Sequence, residues 1–293
     1  ASVMAASFIR FWSIAGFARL HAVWQDHCGG TQPKSGINSL HGPKSLDQNS
    51  KAGSPCAMQF DQPLIPGRLI KRYKRFLADI VLDTGEEIIA HCANPGAMLG
   101  LIAPGNRVFL SKSDNPKRKL AYSWELVEAD FGRGPEFVGI NTAHPNRIVA
   151  EAITAGFFGE FATCPTLRRE VKYGVNSRVD ILLSGRDQKD CYVEIKNVTM
   201  MRQPGLAEFP DSVTARGAKH LGELANMVAQ GHRAVMVYLI QMQADRFSLA
   251  ADIDKKYAAA FAEAHAAGVE AIAVCCKVSP QAIEVDRRVR MNM

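Results

Sequence analysis

Apolar and polar positions alternate most regularly between Ser177 and Asn197, SRVDILLSGRDQKDCYVEIKN. Val179, Ile181 and Leu183 fall on one side of a two-residue period and Arg178, Asp180 and Leu182 on the other, the pattern of a strand with at least one buried face. Ser184, Gly185 and Asp187 supply turn chemistry, and in the run that follows Val193 and Ile195 alternate with Glu194 and Lys196. The stretch predicts an antiparallel hairpin whose pairing lets Asp180 face Glu194 and Lys196.

The flanking segments divide by the same criterion. From Gly67, short β-like runs (Phe76 to Leu82, Glu87 to His91, Arg107 to Ser111, Ala121 to Glu128) are separated by turn signals at Asp83-Thr84-Gly85, Asn94-Pro95-Gly96 and Pro104-Gly105-Asn106. That spacing predicts a small closed β-barrel over 58–137. Past Val138, Asn146 is placed to cap a helix bearing Ile148, Val149, Glu151, Ala152 and Ile153. The hairpin comes next, then a helix over Asp211 to Gln230 with Arg216, Lys219 and His220 in its first half. A strand over Ala234 to Gln241, a helix over Lys255 to Ala267 and a strand over Ala271 to Cys276 complete a second domain, 138–293. Near-continuous apolar strands between helices imply a sheet covered on both faces. The class is α/β with a small all-β domain in front.

Residues 1–57 do not fit either pattern. They open on an apolar, arginine-bearing run without an acid before Asp26 and pass into Gly, Ser, Pro, Lys and Gln. The expectation is a disordered extension or a targeting-like segment.

Composition sharpens this in three respects. With 47% hydrophobic residues over 293 positions, the chain can bury sizeable cores, and no apolar run reaches the roughly 20 residues that span a bilayer. A membrane is therefore not an expected partner. The net charge of +6 permits nucleic acid without demanding it, and residues 1–57, with 5 basic and 2 acidic side chains, carry half of the excess. Seven cysteines without CxxC spacing indicate neither a disulfide framework nor zinc, and reduced cytoplasmic thiols are the plain reading.

The candidate chemistry sits on the hairpin. Two carboxylates and an ammonium on one half-buried face are costly unless they hold something, because neighbouring carboxylates resist joint ionisation. Mg²⁺ or Mn²⁺ would resolve the conflict, taking Asp180 and Glu194 as ligands and leaving positions for water and phosphate oxygens, with Lys196 beside them. Glu151 is a candidate third acid, and an ordinary exposed helix glutamate is the competing reading. On the barrel, Arg68, Arg72, Lys74 and Arg75 surround Tyr73, while Lys112, Lys117, Arg118 and Lys119 precede Tyr122. Basic side chains interleaved with aromatics suit a phosphate backbone with bases to stack, as OB-folds use them. Solvated loops are the alternative. No GxGxxG or Walker loop appears.

The chain resembles the sugar fermentation stimulation protein A (SfsA) family. The resemblance rests on RYKRFLAD, HCANPGAM, NTAHPNR, EVKYG with SRVD, CYVEIKNVT, FPDSVTARGAKHLGEL and DKKYA, in that order, and covers about Met58 to Val285. It implies an N-terminal OB-fold barrel and a PD-(D/E)xK nuclease-like αβββαβ domain, in which valine precedes Asp180 where that motif's name has proline. It further implies a cytoplasmic, nucleoid-associated protein that binds DNA without strong sequence preference, and it leaves a homo-oligomer open. Carried over, Asp180 and Glu194 are metal ligands, Lys196 the catalytic lysine and Glu151 the acid of the first helix. Two functions follow: a Mg²⁺-dependent nuclease, or a non-catalytic DNA-binding regulator of sugar metabolism genes.

Overall fold

A computed structural model describes residues 57–174, 177–185 and 189–292. The expected extension 1–57 lies almost wholly outside them. The chain is first seen as β1 (Ala57–Gln59), which pairs antiparallel with β16 far along the sequence. The second domain's sheet thus gains a strand from ahead of the barrel, where the hydrophobic pattern placed the barrel itself.

The barrel consists of β2 (Ile65–Tyr73), β3 (Leu77–Leu82), β4 (Glu87–His91), β5 (Arg107–Lys112) and β6 (Tyr122–Asp130), in the order β4-β3-β2-β5-β6, and a parallel pairing of β4 with β6 closes it. β7 (Pro135–Gly139) extends it along β6. The expected strands reappear as β3 to β6 with ends shifted by no more than two residues. The pattern did not reveal β2, because its basic side chains conceal its period. Gly67 is needed there: a Cβ would lie 2.8 Å from the Val81 carbonyl oxygen. Inward positions Leu69, Ile80, Val108, Leu110 and Trp124 fill the barrel.

The second domain runs α1 (Pro145–Thr154), β8 (Thr166–Tyr173), β9 (Ser177–Ser184), β10 (Cys191–Val198), β11 (Met200–Gln203), β12 (Leu206–Phe209), α2 (Ala215–Ala229), β13 (Arg233–Ile240), β14 (Arg246–Leu249), α3 (Lys255–Ala266), β15 (Glu270–Val278), β16 (Ala282–Arg288) and β17 (Arg290–Asn292). The αβββαβ order is present, with a small second sheet, β11-β12-β14-β17, added to it. The main sheet has the order β1-β16-β15-β13-β10-β9-β8, parallel across β10, β13 and β15. On β13, Val235, Val237 and Leu239 share a core with Ile148, Val149 and Ala152 of α1. Met236 and Tyr238 join Leu221, Leu224, Tyr257 and Phe261 of α2 and α3 on the other face. Each of the Val, Ile, Leu, Met and Phe side chains among them contributes about 1.5–3 kcal/mol on burial. The five cysteines among the described residues are free and buried. No helix among the described residues is long and apolar enough to cross a membrane.

Barrel and second domain meet at Glu125 on β6, which is 4% exposed. Its carboxylate accepts from Ser111 Oγ (2.6 Å) and Asn141 Nδ2 (2.8 Å), and lies 2.7 Å from His144 Nε2 at the start of α1. Burial alone would raise its pKa, but His144, Ser111 and Asn141 together outweigh burial and hold it below the ordinary glutamate value. A depressed pKa contributes stability above the unfolded value and loses it as pH falls through the folded one. Glu125→Ala is therefore expected to cost on the order of 3 kcal/mol at neutral pH, since buried Asn141 and the half-buried Ser111 and His144 lose their shared acceptor. In urea titrations the gap from wild type should narrow below pH of about 4.

Candidate active site

β9 and β10 pair through Cys191↔Leu183, Tyr192↔Leu182 and Val193↔Ile181, and the ladder stops there. One step further would oppose Glu194 to Asp180. At that step the strands part, β10 continues against β13 alone, and Asp180 Oδ2 accepts from the backbone N–H of Ile195 at 2.7 Å. The two carboxylates thus stand where a sheet opens. The other Asp180 oxygen, Oδ1, accepts from Nδ2 of Asn146 at 2.9 Å, and the same amide reaches Glu170 Oε1 at 2.9 Å. Asn146 is free to do so because α1 starts earlier than the sequence suggests: His144 is the cap residue and Pro145 begins the helix.

Glu194 is 2% exposed, and Lys196 Nζ donates to its Oε1 at 2.8 Å. His220 Nδ1, from α2, reaches the same oxygen. Arg216 Nε donates to His220 Nε2 at 3.3 Å, which assigns the imidazole proton to Nδ1 and makes His220 the donor to Glu194. Glu194 Oε2 is buried with no protein partner among the described residues. Burial works against ionisation of Glu194, yet His220 and Lys196 together hold its pKa below the ordinary value. For Asp180, burial and then the charge of Glu194 dominate, pushing the pKa up to about 6 against the pull of Ile195 N–H, Lys196 and Asn146.

These groups floor a cleft of ≈ 890 Å³ between the barrel and the second domain. Arg72 and Arg75 with the 94–97 loop form one wall, and the 208–214 segment with Arg216 and His220 the other. Arg72 is fixed by donating to three carbonyls of the loop, Asn94 (2.7 Å), Gly96 (3.0 Å) and Ala97 (3.5 Å). Asp211 ties the walls together by accepting from the Met98 N–H at 2.8 Å.

Of the residues expected to bind metal or act in catalysis, Asp180, Glu194 and Lys196 come together. Glu151 does not join them: its carboxylate accepts from Arg147 Nε at 2.7 Å one turn back, and α1 presents Pro145 and Asn146 to the cleft. Among the expected nucleic-acid contacts, only Arg72 and Arg75 line it. Arg68 bonds the Gly105 carbonyl, Lys74 is exposed beside Arg75, and Lys112 lies over the Tyr122 ring. Lys117, Arg118 and Lys119 are exposed on the β5–β6 loop. The roles of His220 and Asn146 in the site are not apparent from the sequence pattern. His220 had a visible signal, a polar residue three and four positions from buried Gly217 and Leu224 on an apolar helix face.

The donors suit a divalent cation of the Mg²⁺ type. That ion is commonly held by one or two carboxylates and keeps waters elsewhere, and a buried carboxylate oxygen without a protein partner is available to it. No group of three or more His, Cys, Asp or Glu that could hold a metal ion converges among the described residues, and Asp180 with Glu194 would be the carboxylates offered to one.

A family model described as the sugar fermentation stimulation protein RE domain matches residues 143–282, and one described as the SfsA N-terminal OB domain matches 70–140. The sugar fermentation stimulation protein homolog of Azorhizobium caulinodans is 59% identical over 235 residues, covering 80% of this chain and 99% of that protein. The homolog of Rhodospirillum centenum is 57% identical over 236 residues, 80% of this chain and 100% of its own length. A solved structure of Pyrococcus furiosus SfsA in complex with Ca²⁺ superposes with a TM-score of 0.72 at 23% identity, over 80% of this chain and 98% of that one, a likeness of fold.

Proposed function

This chain belongs to the sugar fermentation stimulation protein family, and from that premise we propose that it binds DNA without strong sequence preference and carries a Mg²⁺- or Mn²⁺-dependent phosphodiesterase site. The observation that carries the chemistry is Glu194 Oε2, buried and unpartnered beside a second carboxylate whose ionisation the protein disfavours. Asp180 and Glu194 would hold the ion, which supplies Lewis-acid polarisation of a phosphate oxygen and an acidified water. Asn146 and the Ile195 N–H orient Asp180, and His220 orients Glu194. Lys196, whose side chain is 14% exposed at the floor, stabilises through Nζ negative charge developing at phosphorus. Arg75 and Arg216 on opposite walls neutralise the flanking phosphates. The Pyrococcus furiosus relative is described with Ca²⁺, and the divalent-cation reading here rests on this chain's own donors.

The exposed Lys117, Arg118 and Lys119 lie outside the cleft and would add sequence-independent affinity. They suit the second reading, a DNA-binding regulator without catalysis, equally well. Fluorescence anisotropy with labelled duplex across a salt series tests the binding half of both. Wild type should weaken steeply with salt, and the Lys117, Arg118 and Lys119 triple alanine variant should flatten the log–log slope by about 0.9 for each phosphate no longer neutralised. An unchanged affinity and slope would remove this loop from the binding surface, and no binding by wild type would overturn both readings.

A further inference from the structure

We propose that Glu170 is the third acid of the cation site, in place of Glu151. It adds its charge to the pair formed by Asp180 and Glu194 from outside the ion's direct ligands; this rests on the divalent-cation reading above. β8 and β9 pair from Thr166↔Ser184 to Arg169↔Ile181 and again from Val171↔Val179 to Tyr173↔Ser177, and the register sets Glu170 opposite Asp180 at the interruption between them. The β9–β10 register, continued one step past Val193↔Ile181, sets Glu194 opposite Asp180 on the other side. The three acids therefore form one cross-strand row, and both ladders give way at it.

Such a row is unfavourable for the sheet by itself. Carboxylates directly opposite one another across strands repel, and Lys196, which pairs with Glu194, offsets one charge of the three. Glu170 gives the fold nothing in exchange: its side chain is exposed and no ion pair engages it among the described residues, whereas Glu151 is held by Arg147. Glu170 also has a left-handed backbone, φ 54°, inside a strand. That conformation is costly for a residue with a Cβ and persists only where the surroundings impose it. Arg178 Nη1 donates to the Glu170 carbonyl at 3.3 Å and helps to hold it.

The row converges on one donor. Asn146 Nδ2 lies 2.9 Å from Glu170 Oε1 and 2.9 Å from Asp180 Oδ1, so a single amide nitrogen bridges two carboxylates. The amide carries no net charge, and the charge of Glu170 and Asp180 is left for an ion to neutralise. A separate observation calls for that ion: Glu194, 2% exposed in the cleft floor, has a carboxylate oxygen, Oε2, with no protein partner among the described residues. Mg²⁺ keeps several waters when it binds one or two carboxylates. Groups beyond the direct ligands, which orient them or accept from those waters, commonly carry about 10–100-fold of metal affinity. Glu170 is placed for this, since it fixes the amide that holds Asp180 and sets a third negative charge beside the pair.

The test is calorimetric titration of Mn²⁺ alone into the full chain, a readout that needs no cleavage. Glu170→Gln keeps an acceptor for Asn146 and removes only the charge, and should weaken Mn²⁺ binding about tenfold or more. Glu170→Gly, in which the left-handed backbone is no longer strained, should bind Mn²⁺ as weakly. Glu151→Gln should bind as wild type does. Melts in EDTA separate this from a structural role: Glu170→Gln should match or exceed the wild-type Tm, because a like charge opposite Asp180 is gone. An affinity of Glu170→Gln equal to wild type, or a loss accompanied by a lower Tm in EDTA, would overturn the role of Glu170. The Asp180 and Glu194 pair would then still stand if Asp180→Asn abolished binding. Failure of wild type to bind Mn²⁺ would overturn both.

Discussion

Asp180→Asn is expected to abolish most of the rise in melting temperature that millimolar Mg²⁺ or Mn²⁺ gives the wild-type protein. An ion that binds the folded state alone at 100 times its Kd stabilises by about 2.7 kcal/mol, and for a domain of this size each kcal/mol moves Tm by about 2–4 °C. The wild-type rise should therefore be about 5–10 °C. The metal-free comparison carries the opposite sign. Burial and Glu194 raise the Asp180 pKa to about 6, so the ionised carboxylate costs the folded state stability that is lost as pH rises through that value. In EDTA at pH 7 the asparagine variant should equal or exceed the wild-type Tm. A variant that responds to metal as the wild type does would place the ion elsewhere.

The second large effect falls on the rate. Lys196→Ala is expected to lower cleavage by at least 10²–10³-fold, the scale for removing one group that stabilises transition-state charge, while leaving DNA affinity nearly unchanged. The variant should keep the geometry of the site, because Glu194 Oε1 loses Lys196 but retains His220. A lysine that only solvates a sheet face would show neither the loss of rate nor the split between rate and affinity.

Much of this arrangement was legible because β periodicity carries register. The alternation around Asp180 and around Glu194 fixes which side chains share a face, and a hairpin with a short link allows few pairings, so the pattern brings Asp180 near Glu194 and Lys196, although the ladder stops at Val193↔Ile181, one step before Asp180 and Glu194 would oppose each other. What stayed hidden depends on neighbours distant in sequence. Glu151 has the residue type and helix expected of a third acid, but its rotation about α1 is set by the packing of Ile148, Val149 and Ala152, which turns Asn146 toward the cleft instead. Arg72 reads as a phosphate contact, yet its guanidinium is engaged by the carbonyls of the 94–97 loop. His220 lies 26 residues from its partner Glu194 and meets it only because α2 packs back over β10. β1 escaped because a three-residue strand has too short a period to recognise, and its pairing with β16 is fixed by the sheet edge it covers.

The most direct measurement is cleavage of radiolabelled single-stranded, duplex and branched DNA by wild type and Lys196→Ala, side by side with Mg²⁺, Mn²⁺ or EDTA. The expected result is metal-dependent cleavage by wild type, none in EDTA, and a loss of at least 10²-fold in the variant. Cleavage of equal rate by both proteins would contradict the role of Lys196, and no cleavage by wild type with either metal would contradict the phosphodiesterase site itself.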